Sequence, residues 1–268
     1  MDKKNKNFYI TTPIYYVNDV PHIGHAYTTV ICDTIANFNK WLDKNVNFLT
    51  GTDEHGQKVE KSALKAGIDP QTFTDNVSKS FYKLANKLEI NNTDFIRTTE
   101  NRHKESVKYL WNKLEDNGDI YLDKYSGWYS IKDEAFYSND EVTENNKGIK
   151  IAPNGSEVEW VEEPSYFFKL SSWQEKLLKF YNDNPEFISP RSRYNEVLSF
   201  VNNGLEDLSI SRTTFNWGIQ VPKNNDHIIY VWLDALTNYI SALGYPNKDS
   251  HDWKSFWPAN IHVVGKDI

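Results

Sequence analysis

The chain has 268 residues, with 30 lysines and arginines against 37 aspartates and glutamates, so its formal net charge is −7 at pH 7. That balance gives no electrostatic footprint for a nucleic-acid-binding module. Aromatic residues make up 15% of the chain, which supplies enough apolar area to fold and excludes global disorder. The length suits one large domain or two modest ones.

The only cysteine is Cys32, which excludes an intrachain disulfide and any zinc site built on cysteine pairs. An intracellular, cytoplasmic setting is the simplest interpretation. The apolar run at residues 8–17 contains two threonines and a proline and has no small-residue cleavage site, so it does not fit a signal peptide. No stretch approaches the ~18 apolar residues of a membrane span, and we expect no membrane partner.

The first part of the chain predicts a strand–helix–strand unit. Residues 8–12 form a short apolar run, apolar positions keep helical spacing over 24–42, and residues 46–50 form a second apolar run. This order is typical of a parallel sheet. Further helices are expected over 57–66, from 70 to about 88, and from about 101 to 118, because glycines, a proline and a capping aspartate mark their ends.

After residue 118 the pattern changes to short β-like runs at 120–122, 127–131 and 157–161. A capping box at 172–175 and an apolar pattern over 193–203 predict two helices. Residues 228–231 and 261–264 are again buried-strand runs. We interpret the chain as an α/β sheet domain in two halves, 1–117 and 226–268, interrupted by an insertion over 118–225.

Two histidines and a glycine lie where the first strand meets the first helix. His22, Gly24 and His25 would occupy the carboxyl edge of the sheet, where open α/β sheets bind ligands. The rings offer donors to an anionic group beside unpaired backbone N–H groups, and the glycine leaves room for a planar ring such as adenine. This suits nucleotidyl transfer, with charge building on an α-phosphate. Taken alone, however, these three residues favour the simpler interpretation that the two histidines are ordinary residues at a helix end.

A polar loop at residues 51–56 follows the second strand to the same edge. Asp53 is the best candidate to bind the α-amino group of an amino-acid substrate, although Asp53 or Glu54 can equally cap the next helix or order the loop. Trp232 and Tyr239 are two turns apart on one face if a helix begins by Trp232. Such a pair is more often core than pocket, but it can wall a pocket for an unbranched apolar side chain.

Four segments occur in an order that identifies a family: residues 8–18, the His-Ile-Gly-His run at 22–25, residues 48–57 and residues 230–235. Together they resemble methionyl-tRNA synthetases, which are class I aminoacyl-tRNA synthetases. The resemblance continues through residues 95–99, 207–212 and 262–268, so it covers essentially the whole chain.

The resemblance implies a Rossmann-type parallel-sheet catalytic domain, interrupted by a connective-peptide insertion, that activates methionine with ATP and transfers it to tRNA(Met). It implies catalytic roles for His22 and His25 and an ATP site of His22, Gly24, His25, Arg212, Lys266 and Asp267. It implies a methionine site of Pro13, Ile14, Tyr16, Asp53, Trp232, Tyr239 and Ile268. Mg²⁺ would accompany ATP without a dedicated protein site, and the acceptor end of the tRNA would be the macromolecular partner.

The sequence departs from the family in two places. Many members bind zinc with cysteine pairs in the insertion, whereas Ser130 and Asp133 stand where the first pair would be, so we expect no zinc and packing around Trp128, Tyr129 and Phe136. The sequence ends before the Lys-Met-Ser-Lys-Ser-type loop and the anticodon-binding domain, so we expect a portion with impaired catalysis. A catalytically silent methionine-binding module and a class I synthetase for another amino acid remain alternatives.

Overall fold

A computed structural model describes residues 6–133, 135–146 and 148–265. Its helices are α1 (Ile23–Trp41), α2 (Gln57–Ala66), α3 (Pro70–Lys87), α4 (Asn101–Asp116), α5 (Gln174–Asp183), α6 (Arg191–Asn202), α7 (Asn238–Ser241) and α8 (His251–Phe256). Its strands are β1 (Asn7–Thr11), β2 (Tyr15–Tyr16), β3 (Asn45–Asp53), β4 (Asp94–Arg97), β5 (Ile120–Ser130), β6 (Ala135–Tyr137), β7 (Thr143–Glu144), β8 (Lys150–Ile151), β9 (Glu159–Phe168), β10 (Leu208–Ser209), β11 (Ser211–Arg212), β12 (Gln220–Val221), β13 (Asn224–Ile229) and β14 (Ile261–His262).

A five-stranded parallel sheet organises the chain. β1 lies between β14 and β3, and β3 also pairs with β2 and β4. Tyr9, Ile10 and Phe48 are fully buried because helices and loops cover both faces of the central strands. The predicted α/β, Rossmann-type fold class is therefore confirmed, with β1, α1 and β3 forming the expected strand–helix–strand unit.

The glycine, aspartate and proline that mark helix ends in the sequence located the boundaries of α2 and α3 correctly. α2 ends at Gly67, which adopts a left-handed φ of 70°. Asp69 caps α3 by accepting the backbone N–H of Thr72 at 2.9 Å, and Pro70 occupies the first helical position. The long α1 and α3 thus begin and end within two residues of their predicted limits.

The region after α4 forms an antiparallel sheet in the order β10-β9-β5-β6. The two short runs predicted at 120–122 and 127–131 are one continuous strand, β5, because β9 pairs with it along ten residues. The prediction that residues 172–175 form a capping box is wrong, although a helix does follow, α5. A 3₁₀ turn over Leu170–Trp173 precedes α5, and the Ser172 hydroxyl donates to the carbonyl of Lys169 instead of capping the helix.

The strand predicted at 228–231 belongs to a separate antiparallel sheet. β13 lies between β11 and β12 and begins at Asn224, so it crosses the predicted boundary at 225/226. The division into 1–117, 118–225 and 226–268 stays a prediction. No helix within the described ranges is long and apolar enough to cross a membrane.

A hydrogen-bonded cluster around Asp133, which we call the Asp133 knot, lies where the family would place its first zinc-binding pair. The Asp133 carboxylate accepts from the hydroxyls of Tyr137, at 3.1 Å, and Ser156, and the Asp133 N–H donates to the Ser130 hydroxyl. Burial would raise the pKa of Asp133, but these donors outweigh it and lower the pKa to about 2. The knot is thus held by an ionised carboxylate.

Aromatic packing contributes beside this knot. Trp128 packs edge-on against Trp160, with 5.4 Å between ring centroids, and Tyr129 is buried. The side chain of Phe136, which we expected to join them, lies outside the described residues. Aromatic packing is therefore only part of what holds this end of the insertion together.

Candidate functional site

His22 and His25 cap the N-terminus of α1 reciprocally. The N–H of Gly24 donates to Nδ1 of His22 at 3.1 Å, and the N–H of His22 donates to Nδ1 of His25 at 3.0 Å. Because Nδ1 accepts in both rings, each neutral imidazole carries its proton on Nε2. The two rings, whose centroids are 3.9 Å apart, thus present a pair of Nε2–H donors at the N-terminus of α1.

Gly24 is required by the packing of this pair. A Cβ atom at Gly24 would lie 2.9 Å from Cε1 of His22, closer than real Cβ atoms come, and a tight 3.1 Å from its Nδ1. Gly24 itself is exposed, and the His22 imidazole lies on the side where a Cβ would point, so the role of Gly24 beside a planar ring such as adenine stays a prediction.

The His25 ring is held in an apolar environment. Its centroid lies 4.8 Å from the Tyr15 ring and 5.2 Å from the Phe81 ring, both in edge-on contact. Burial, and to a smaller extent the neighbouring His22, lower the pKa of His25 to about 4. At pH 7 His25 is therefore a neutral donor, which can stabilise developing negative charge by hydrogen bonding without holding a fixed positive charge.

The loop after β3 is fixed by the buried carboxylate of Glu54, which is fully inaccessible to solvent. Arg97 donates to it through Nε at 2.7 Å and Nη2 at 2.9 Å. Three hydroxyls also donate to it, those of Thr52, Ser78 and Thr99. Burial alone would raise the pKa of Glu54, but these donors lower it below its usual range.

Glu54 therefore orders the loop, which was one of the two alternatives to ammonium binding in the sequence analysis. The other alternative, that Asp53 or Glu54 caps α2, is wrong, because Gly56 occupies the cap position and no side chain caps the helix. Asp53 itself is buried at the last position of β3, where its backbone carbonyl accepts the N–H of Val17 at 3.1 Å.

A second buried carboxylate, Asp234, joins this loop to two other elements. Its Oδ2 lies 2.7 Å from Nδ1 of His55, and its Oδ1 lies 2.8 Å from Nε2 of His103 in α4. All three side chains are buried. Burial would raise the pKa of Asp234, but the two imidazoles lower it to about 2, so the carboxylate is ionised. We refer to Asp234, His55 and His103 as the Asp234 clamp.

The shared helix face of Trp232 and Tyr239 required a helix that begins by Trp232, and the structure has none there. Trp232 lies in a turn and is 37% exposed, a 3₁₀ turn follows at Ala235–Thr237, and regular helix starts with α7. The turn carries Asp234 to its two histidines, a contact that no local pattern encodes. Trp232 and Tyr239 are thus not two turns apart on one helix face.

The other predicted methionine-site residues fall into two groups. Ile14 and Tyr239 pack against the same buried cluster, which includes Tyr9, and the Tyr9 hydroxyl donates to the Tyr239 carbonyl at 2.9 Å. Tyr16 instead stands beside Asp53 in the register between β2 and β3 and packs with a different cluster. Pro13 is half-buried in the connection between β1 and β2.

Arg212, predicted to assist at the phosphates, is only 3% exposed in β11. Its Nη1 donates to the Ser209 hydroxyl and the Ser211 carbonyl, both at 2.6 Å, and its guanidinium lies 3.8 Å over the Tyr230 ring. Contact with ATP would need this side chain to become accessible, so its phosphate role stays a prediction. Lys266, Asp267 and Ile268 lie outside the described residues.

His262 was missed by the sequence reasoning. Its Nδ1 lies 2.8 Å from the Thr11 hydroxyl, and its ring centroid lies 4.6 Å from that of Tyr239. Burial lowers the pKa of His262. The available signal was its position within the apolar run at 261–264, although that run is half-buried to exposed and not a buried strand as expected.

A cleft of 460 Å³ opens between α4 and the β12–β13 turn. It is lined by Glu105, Lys108, Tyr109, Asn112, Gln220, Val221, Pro222, Asn225 and Pro246, none of which is a predicted site residue. Of the predicted site residues, Asp53 lies at the carboxyl end of β3, and His22 and His25 lie at the N-terminus of α1.

Comparison with known proteins gives consistent matches. The family model described as tRNA synthetases class I (M) matches residues 8–268. The methionine–tRNA ligase of Rickettsia typhi is 64% identical over 261 residues, covering 97% of this chain and 50% of the relative. Methionine–tRNA ligase 1 of Bacillus cereus is 52% identical over 275 residues, covering all of this chain and 42% of the relative.

Among solved structures, Mycobacterium tuberculosis methionyl-tRNA synthetase bound by methionyl-adenylate superposes with a TM-score of 0.94 at 48% identity. The match covers 98% of this chain and 52% of the mycobacterial chain. The chain thus spans about half the length of the curated relatives it matches.

Proposed function

The chain belongs to the class I tRNA synthetases of the methionine type, and we propose that it carries the site at which a methionine–tRNA ligase activates methionine with ATP. In the first step the methionine carboxylate attacks the α-phosphate and pyrophosphate leaves. In the second, a ribose hydroxyl at the acceptor end of tRNA(Met) attacks the resulting mixed anhydride. Neither step requires a nucleophile from the protein, so positioning and electrostatics carry the catalysis.

The reciprocal cap of His22 and His25 is the observation that carries this proposal. Its two Nε2–H donors stand at a helix N-terminus, where the helix dipole also favours an anion. We assign them to the α-phosphate oxygens, whose charge grows in the transition state. Fixed neutral donors suit this task because they need no reorganisation as that charge develops.

The methionine site follows from the same edge of the sheet. We assign the ammonium group to Asp53, at the end of β3, since a buried carboxylate is its natural partner. The thioether would lie against Trp232, Tyr239 and Ile14, with Pro13, Tyr16 and Ile268 completing the pocket, because aromatic rings make favourable contacts with sulfur. Arg212, Lys266 and Asp267 complete the proposed ATP site.

Mg²⁺ would accompany ATP. Within the described ranges no three His, Cys, Asp or Glu side chains are grouped so as to hold a metal ion. Mg²⁺ commonly keeps phosphate oxygens and waters as ligands, and we assign it to the nucleotide, with no step routed through it. A cytoplasmic location is part of the same proposal, since tRNA charging serves translation there.

Methionine-dependent exchange between ATP and radiolabelled pyrophosphate, run with each of the twenty amino acids, tests the proposal. We expect methionine to raise the exchange above background and the other nineteen to fail to do so comparably. Exchange supported best by another amino acid would assign the site to a different synthetase. Methionine binding without any adenylate, in this chain and in the full-length protein alike, would indicate a silent binding module.

A further inference from the structure

The Asp234 clamp connects three elements distant in sequence. His55 follows β3 and is two residues beyond Asp53, the proposed ammonium ligand. Asp234 lies in the turn that carries Trp232, and His103 lies in the first turn of α4. The clamp therefore spans the gap between the polar and the apolar sides of the proposed methionine site.

The clamp also holds the far end of the apolar wall. Nδ1 of His103 lies 3.0 Å from the Ser241 hydroxyl, in the short helix that carries Tyr239. The segment 232–239 is thus tied near both of its ends, by Asp234 at one and by Ser241 at the other. A short turn and a four-residue helix have little internal stability, so the position of this segment depends on these ties together with the packing of Tyr239 and the bond it receives from Tyr9.

We propose that the Asp234 carboxylate is a positioning group for methionine: it sets the spacing between the ammonium anchor at the end of β3 and the apolar wall carried by residues 232–239. This rests on the proposed function of the site. Asp234 touches no substrate atom in this scheme and acts through His55 on one side and through its own turn on the other.

The geometry explains why a carboxylate is needed at this position. An ionised carboxylate accepts from both imidazoles at once, one on each oxygen. Asparagine has the same shape but only one accepting atom, and its amide would face the proton of the other imidazole. One of the two ties is then lost, or one ring must change its tautomer, and the spacing across the pocket is no longer fixed.

The test is methionine binding to the 268-residue chain, measured by calorimetry, with ATP binding followed by chemical-shift titration. For Asp234→Asn we expect methionine affinity to fall at least tenfold while ATP affinity stays within twofold. Asp207→Asn is the matched control, because the Asp207 carboxylate accepts from Tyr121 and Ser171 in the insertion, away from the parallel sheet. Its methionine affinity should stay within twofold of the wild type.

A pair of variants at His55 separates positioning from stability. His55→Asn places an amide N–H where Nδ1 stood and can keep the bond to Asp234, so methionine affinity should stay within threefold. His55→Leu keeps bulk but removes the donor and should lose at least tenfold. This pair also decides the matter if Asp234→Asn does not fold, which thermal unfolding would reveal.

Each outcome has a distinct meaning. Wild-type methionine affinity in His55→Leu would overturn the positioning role. A parallel loss of methionine and ATP affinity in the clamp variants would also overturn it, since that is what general destabilisation does. If the unaltered chain binds ATP but shows no affinity for methionine, the proposed function of the site fails first.

Discussion

Substituting Gly24 by alanine should separate the function of the site from the stability of the fold. The new Cβ would stand 2.9 Å from Cε1 of His22, so the imidazole must move away from its capping position. The ring is exposed and can rotate outward without disturbing the core. What is lost is the bond from the Gly24 N–H and the alignment of the His22 donor with that of His25.

The stability terms nearly cancel. Losing a side-chain cap costs about 0.5–2 kcal/mol, whereas alanine in place of glycine inside a helix gains about 1 kcal/mol. The free energy of unfolding should therefore change by about 1 kcal/mol or less. The loss of ligand binding has no such compensation. A hydrogen bond to a charged group contributes about 1.5–3 kcal/mol, which is roughly a 10- to 140-fold loss of affinity for an anionic phosphate.

The assay is calorimetric binding of the adenosine phosphate ester of methioninol, a stable mimic of methionyl-adenylate that keeps the anionic phosphate, together with thermal unfolding. Gly118→Ala is the matched control. Gly118 ends α4 with a φ of 75° and no atom near a new Cβ, so it should lose about 1–2 kcal/mol of stability and no affinity. If Gly24→Ala binds the mimic as the wild type does, the donor pair is not the phosphate site.

Three further outcomes are expected. In NMR titrations His25 should stay neutral down to about pH 4, and a titration midpoint near pH 6.5 would contradict the burial argument. Because an unfolded histidine protonates near pH 6.5, the unfolding free energy should fall as the pH drops from about 6.5 to about 4. In urea, Glu54→Gln should lower the unfolding free energy by about 1.5–3 kcal/mol, because its buried donors lose a charged acceptor while Arg97 keeps its ion pair with Asp75. Glu105→Gln on the exposed face of α4 should lower it by less than about 0.5 kcal/mol, and equal losses would refute the role of Glu54. Metal analysis of chain purified without a metal-binding tag should find no zinc bound by the Asp133 knot, and stoichiometric zinc would contradict this.

Local signals explain why much of the fold was predictable. Gly67 and the Asp69–Pro70 pair act within their own helices, so the sequence around them suffices to locate the ends of α2 and α3. The strands β1 and β3 are buried on both faces, and such strands show near-continuous apolar runs in the sequence.

Long-range contacts account for what the sequence did not reveal. His55 and Asp234 are 179 positions apart, and the bond between them fixes a turn where helical spacing suggested a helix. Glu54 was one of two acidic candidates in its loop, and its role depends on contacts with distant residues such as Arg97, 43 positions away. Residue type and spacing cannot encode such pairings, because each depends on where the sheet brings the two segments together.

Calorimetric titration of the chain with methionine, leucine and homocysteine tests the central claim most directly. The account predicts a single methionine site with weaker binding of the other two, since Asp53 and the aromatic wall together fit an ammonium group and an unbranched thioether. Tighter binding of leucine, or no binding of any of the three, would contradict it.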